Sequence, residues 1–117
     1  MEDYILREID RIGEMLMKIA RKMGLFLDDV PKYSISDAQA EFERADCTID
    51  LDSLLNQEFP VQFLVQEKGL SVQALELIVD IIFHSDAEES KKVSLLNDAL
   101  SYLDGKGYYS FKLHSLS

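Results

Sequence analysis

Apolar positions near the start of the chain follow a helical period. Ile5, Ile9, Ile12, Leu16, Ile19 and Met23 step by 4, 3, 4, 3 and 4 positions, the seam of an amphipathic helix over residues 3–23. A second stripe, Leu6, Gly13, Met17 and Ala20, runs beside it. Together the two cover an arc of roughly 200°, about twice what one packing neighbour needs. The second stripe is therefore the candidate interface, facing a second copy of the chain or another protein. The alternative is that the chain's own middle helices or its tail cover it. Gly13 costs about 1 kcal/mol of helix propensity relative to Ala, which close packing would explain. Lys18, Arg21 and Lys22 complement the negative end of the helix dipole. Gly24 supplies a left-handed stop, with Leu25 as the apolar contact after it.

The middle of the chain predicts shorter elements. Asp28-Asp29-Val30-Pro31 is a loop. Ser36-Asp37-Ala38-Gln39 has the capping-box pattern, so a short helix runs to about residue 45. Its few apolar residues, Ala38, Ala40 and Phe42, make it peripheral. Asp50 or Asp52 caps a further short helix reaching as far as Phe59. Pro60 fits the first position of the next helix, which carries Val61, Phe63, Leu64 and Val65 and stops at Gly69.

Ser71 caps the segment 72–83, in which only Gln73, Glu76 and Asp80 are polar. They fall at about 100°, 40° and 80° on the helical wheel. A helix apolar nearly all round belongs at the centre of a bundle. Asp86-Ala87-Glu88-Glu89 repeats the capping pattern, and the helix after it ends at Gly105-Lys106-Gly107. The segment 108–116 carries Tyr108, Tyr109, Phe111, Leu113 and Leu116, too much apolar surface for a free end, so it docks. Ser110 caps its last turn. No alternating run is long enough for a strand. The fold class is all-α: one domain over residues 1–117, a small bundle of four to six helices with a C-terminal helical hairpin.

That hairpin, 72–83 followed by 88–104 and a new start near Ser110, resembles a tetratricopeptide-type repeat. Ala99-Leu100-Ser101-Tyr102-Leu103-Asp104 is similar to the end of that repeat's second helix. The likeness covers about a third of the chain and lacks the repeat's first-helix signature. It implies a protein-binding scaffold. A single hairpin does not form the long groove of an array.

Composition narrows the partners. An apolar fraction of 47% is too high for a disordered chain. The net charge of −10 repels phosphate backbones and anionic bilayers, so neither nucleic acid nor membrane is expected as a partner. The acidity is concentrated in residues 25–90, where fifteen acids face three bases. It favours a basic protein partner, or serves as a solvent face. Cys47 is the only cysteine, which suits a reducing compartment. The acidic Met1-Glu2-Asp3 start is unlike a secretory signal, and no uncharged apolar run is long enough to span a bilayer. The expected location is cytoplasmic.

Chemistry-bearing patterns are sparse. Asp80 and His84 lie four apart, with Asp86 beyond, a spacing that can bind a metal or simply pair across one helix turn. Cys47 sits between Asp46 and Asp50, and negative neighbours weaken a thiolate. His114 has no serine elbow to serve, and Gly105-Lys106-Gly107 is a helix stop rather than a phosphate loop. No catalytic, cofactor-binding or metal residue is assigned, and no cofactor is expected. The expected function is a non-enzymatic protein–protein interaction module that self-associates as a homodimer. The competing reading is a small helical enzyme or ligand-binding domain with a site assembled from scattered residues.

Overall fold

The computed structural model describes residues 11–116. The described residues form seven α-helices and one π-helical turn, with no strand and one isolated bridge, Tyr33 to Ser85. The helices are α1 (Arg11–Met23), α2 (Ile35–Arg44), α3 (Leu51–Leu55), α4 (Pro60–Gln62, running into the π turn Phe63–Glu67), α5 (Val72–Phe83), α6 (Glu89–Gly105) and α7 (Phe111–Leu116). The fold is the all-α bundle that the apolar periodicity predicts. The count exceeds four to six because α3, α4 and α7 are only three to six residues long.

Helix α5 is the centre. Ala74, Leu75, Ile78, Val79, Ile81 and Ile82 are all buried, and α1, α2, α6 and α7 pack around it. Each fully buried Leu or Ile contributes about 1.5–3 kcal/mol of transfer free energy, so the whole fold leans on this helix.

Helix α1 presents Gly13, Leu16, Ile19 and Ala20 to the interior. Its C-terminus closes in a Schellman pattern. The Leu25 N–H donates to the Ala20 carbonyl at 3.0 Å, and the Gly24 N–H donates to the Arg21 carbonyl at 3.2 Å. Gly24 has φ 85°, and a Cβ there would meet the Pro31 ring at 3.0 Å. Conformation and space both require glycine.

Two capping expectations are corrected. Helix α2 starts at Ile35, because Ser34 rather than Ser36 is the cap: its hydroxyl accepts from the Asp37 N–H at 3.0 Å. Gln39 is thereby freed from the capping role. Its amide clips the chain near Ile49, accepting from the Leu51 N–H at 2.7 Å and donating to the Ile49 carbonyl at 3.3 Å. Asp86, for its part, does not cap the helix that follows it. Its carboxylate accepts the Ile35 N–H at 2.8 Å, satisfying the start of α2, which lies 51 residues away in sequence. Helix α6 begins without a side-chain cap.

Helix α2 is also less peripheral than its composition suggests. Phe42 and Ala38 are fully buried, because one large aromatic anchors a short helix as well as several small apolar residues would.

Candidate interaction site

Three places concentrate polar or apolar groups without an obvious structural partner in sequence. The first is the polar strip of α5. Gln73 is exposed, Glu76 is half-buried, and Asp80 is buried at 1% exposure. The strip is not solvated along its length, because α7 covers its lower end. Lys112 Nζ lies 3.2 Å from Asp80 Oδ2, and His84 Nδ1 lies 3.1 Å from Asp80 Oδ1. That ring nitrogen is also 3.0 Å from the Asp80 carbonyl. One helix turn above, Glu76 accepts hydrogen bonds from the Ser110 hydroxyl and from the Tyr108 hydroxyl. Burial pushes the Asp80 carboxyl above its ordinary range, and Lys112 and then His84 pull it partly back. The strip is thus a polar clasp that fastens the C-terminal segment onto the central helix. The docking of residues 108–116 follows from it, with Leu113 fully buried and Ser110 capping α7 by accepting the Leu113 N–H at 3.1 Å.

The second place is a cavity of about 520 Å³ where the loop 30–35 meets the end of α5. Tyr33, His84, Ser85, Asp86 and Lys92 line it. Their polar atoms are committed to the fold. The Tyr33 hydroxyl donates to the Ile81 carbonyl at 2.7 Å, and burial raises its pKa. The Ser85 hydroxyl donates to the Ile82 carbonyl at 2.6 Å, so its proton is not shared with a base. Lys92 donates to the Ser85 carbonyl at 2.8 Å. Asp86 is turned to Ile35, so it does not join Asp80 and His84 as a third metal ligand. Among the described residues no group of three or more His, Cys, Asp or Glu side chains is placed to hold a metal ion.

The third place is a groove of about 410 Å³ between α4 with its π turn and the middle of α6. Val61, Val65, Phe59 and Tyr102 supply its apolar surface; Gln62, Gln66, Asp98 and Ser101 edge it. Phe59 stands 62% exposed at its mouth. The residue sits there because Pro60 starts α4 and leaves Phe59 outside the helix as its cap, with non-helical backbone at φ −128° and ψ 73°. Phe59, Gln62 and Gln66 also border a neighbouring depression of about 350 Å³ that includes Glu58 and Glu67. The π turn, with the Lys68 N–H donating to the Phe63 carbonyl five residues back at 3.3 Å, widens the helix beside the groove.

The stripe expected on helix one divides. Gly13 and Ala20 are buried within the chain, Met17 is 40% exposed, and Leu6 lies outside the described residues. The wide apolar arc has an internal explanation, since both α5 and α2 pack on α1. Of the described stripe only Met17 is open to a second copy. Cys47 is buried, and its thiol is pushed up chiefly by that burial rather than by the acids beside it. It is a core side chain, unsuited to nucleophilic work.

The groove has little signature in the sequence. Its one visible signal is a large aromatic in the polar run Asn56-Gln57-Glu58-Phe59 ahead of a proline. Tyr102 gave none, since it belongs to a helix whose apolar residues all suggest core. Compared with protein-family models, curated proteins and solved structures, the chain matches none.

Proposed function

We propose that the chain is a non-enzymatic protein–protein interaction module and that the Phe59 groove is its docking surface. The observation that carries this reading is an exposed aromatic standing at the mouth of an apolar-walled groove. Burying a side chain of that size against a partner's apolar surface is the usual source of hot-spot energy. The polar groups of the larger cavity are engaged within the fold. Helices α5 and α6 are joined by residues 84–88 and followed by a new start at α7, and a tetratricopeptide-like scaffold is part of this proposal. A lone buried cysteine, and no helix long and apolar enough to cross a membrane among the described residues, are compatible with a cytoplasmic module.

The test is selection of peptides from a displayed random library against the folded chain, followed by titration of the enriched peptides. Phe59→Ser and Val65→Asp are expected to weaken them by about tenfold or more while leaving the far-ultraviolet circular dichroism unchanged. Enriched peptides that bind both variants as tightly as the parent would place the docking surface elsewhere. A selection that enriches nothing would count against an interaction module of this kind.

A further inference from the structure

Resting on the groove as a docking surface, the charge around it identifies what docks. We infer that the occupant is an amphipathic helix of a partner protein, with an apolar face for the groove and lysines or arginines along its flanks.

The mode of binding follows from what the surface offers. No strand exists among the described residues, so there is no sheet edge onto which an extended peptide could add. The groove lies instead between two helical segments and has aliphatic floor residues, Val61 and Val65, with the aromatic rings of Phe59 and Tyr102. That arrangement receives side chains spaced one helical turn apart.

The polarity of the partner follows from the rim. Asp98 edges the groove on the α6 side, and Glu58 and Glu67 edge the adjoining depression on the α4 side. All three are exposed, and no ion pair within the described residues engages any of them. Three lysines on the flanking segments are engaged elsewhere: Lys91 donates to Asn56 Oδ1 at 2.7 Å, and two others are held against rings. Lys106 Nζ lies 5.6 Å from the centre of the Tyr102 ring; Lys68 Nζ lies 5.8 Å from the centre of the Phe63 ring and reaches the Thr48 carbonyl at 3.4 Å. None of the three forms an ion pair with Glu58, Glu67 or Asp98. The acids of residues 25–90 add a wider negative field, which steers a cationic helix in and repels an anionic one. The acidic middle of the chain thus acquires a role beyond solubility.

Two probes distinguish this inference from the docking surface beneath it. One is a helical peptide of leucine and lysine; the other is its leucine and glutamate counterpart. Each is titrated into the isotope-labelled full chain, with amide shifts followed by NMR. The lysine peptide is expected to move the amides around Phe59, Val65, Asp98 and Tyr102, with affinity falling severalfold as salt rises. Phe59→Ser is expected to remove those shifts, and Glu67→Lys with Asp98→Lys to weaken binding about tenfold. Shifts spread over acidic residues remote from the groove would overturn the inference. A glutamate peptide that occupies the groove as tightly as the lysine peptide would overturn the charge assignment while leaving the docking surface intact. If library-selected peptides bind the groove but neither probe does, the helical occupant is wrong and the docking surface survives. If no peptide of any kind binds there, both fall.

Discussion

Lys112 Nζ sits 3.2 Å from Asp80 Oδ2 and so ties the last described helix to the most buried one. Asp80 is the one carboxylate among the described residues that is buried at 1% exposure. An ionised carboxylate removed from water needs compensation. Here it comes from a lysine 32 positions later and a histidine one turn away.

Removing the lysine while keeping the acid is therefore the sensitive change. Lys112→Met should destabilise the chain by about 1–3 kcal/mol. The figure stays below that for a fully buried pair because Lys112 is 40% exposed and water can follow it in. Adding Asp80→Leu to Lys112→Met should recover part of the loss, since the stranded charge disappears with its partner. Urea unfolding of the two variants against the parent checks both. A double variant no better than Lys112→Met would show that the lysine acts through its stem rather than its charge.

The same carboxylate gives stability a pH slope. Its folded pKa is raised above the ordinary 3.8, chiefly by burial. The folded chain then holds the proton more tightly than the unfolded chain does, so stability falls as pH rises from the ordinary carboxylate range through the raised value. Asp80→Asn should remove that fall. Lys112→Met should carry it to higher pH, because the group that partly restores the ordinary value is gone. Unfolding midpoints across mildly acidic pH measure the difference from the parent. A parent and an Asp80→Asn variant with parallel profiles would mean that Asp80 titrates as it does in the unfolded chain.

Helix α2 ends on a non-glycine residue in the left-handed region. Asp46 has φ 58°, while the Cys47 N–H donates to the Phe42 carbonyl at 2.9 Å and the Asp46 N–H to the Glu43 carbonyl at 3.1 Å. The hydrogen bonds are those of a glycine-type stop, built on a residue with a Cβ. Asp46→Gly should raise stability by about 0.5 kcal/mol, and Asp46→Ala should lower it by about 0.5–1 kcal/mol. The pair, compared by thermal or urea unfolding, shows whether the backbone conformation limits stability there.

The sequence carried the framework of the fold because its strongest signals are local. The apolar run of α5, the Gly24 stop, Pro60 at a helix start and the Ser71 and Ser110 caps each depend on neighbours within a few positions. Asp86 and Gln39 depart from their local pattern for the opposite reason. Each has the local pattern of a helix cap, but its side chain is used on a backbone group far away in sequence. Asp80 and His84 pair as their spacing allows, yet the spacing says nothing of Lys112, which only the return of the C-terminal segment brings close. The groove was illegible because it is a shape between two helices. Phe59 is exposed and Val61 buried for reasons of packing that periodicity does not encode.

Helix α1 offers the sharpest separation between the two accounts of its wide apolar arc. If the stripe beside the seam served a second copy, Met17 and Ala20 would both face that copy. In the structure Ala20 is 0% exposed inside the core, whereas Met17 is 40% exposed. The two positions, three apart on one helix, should therefore respond differently to the same charge. Ala20→Glu buries a carboxylate with no partner and should cost at least about 3 kcal/mol, enough to unfold a marginal domain. Met17→Glu puts the carboxylate near water, beside Lys18 and one turn from Arg21, and should change stability by less than about 1 kcal/mol. Sedimentation equilibrium supplies the second reading, since a Met17→Glu chain with the parent's molar mass leaves no self-association that depends on this residue. A parent dimer that becomes a folded monomer on Met17→Glu would restore the stripe as an interface. It would also show that one exposed methionine suffices to nucleate a contact that Gly13 and Ala20, already buried in the chain's own core, cannot share.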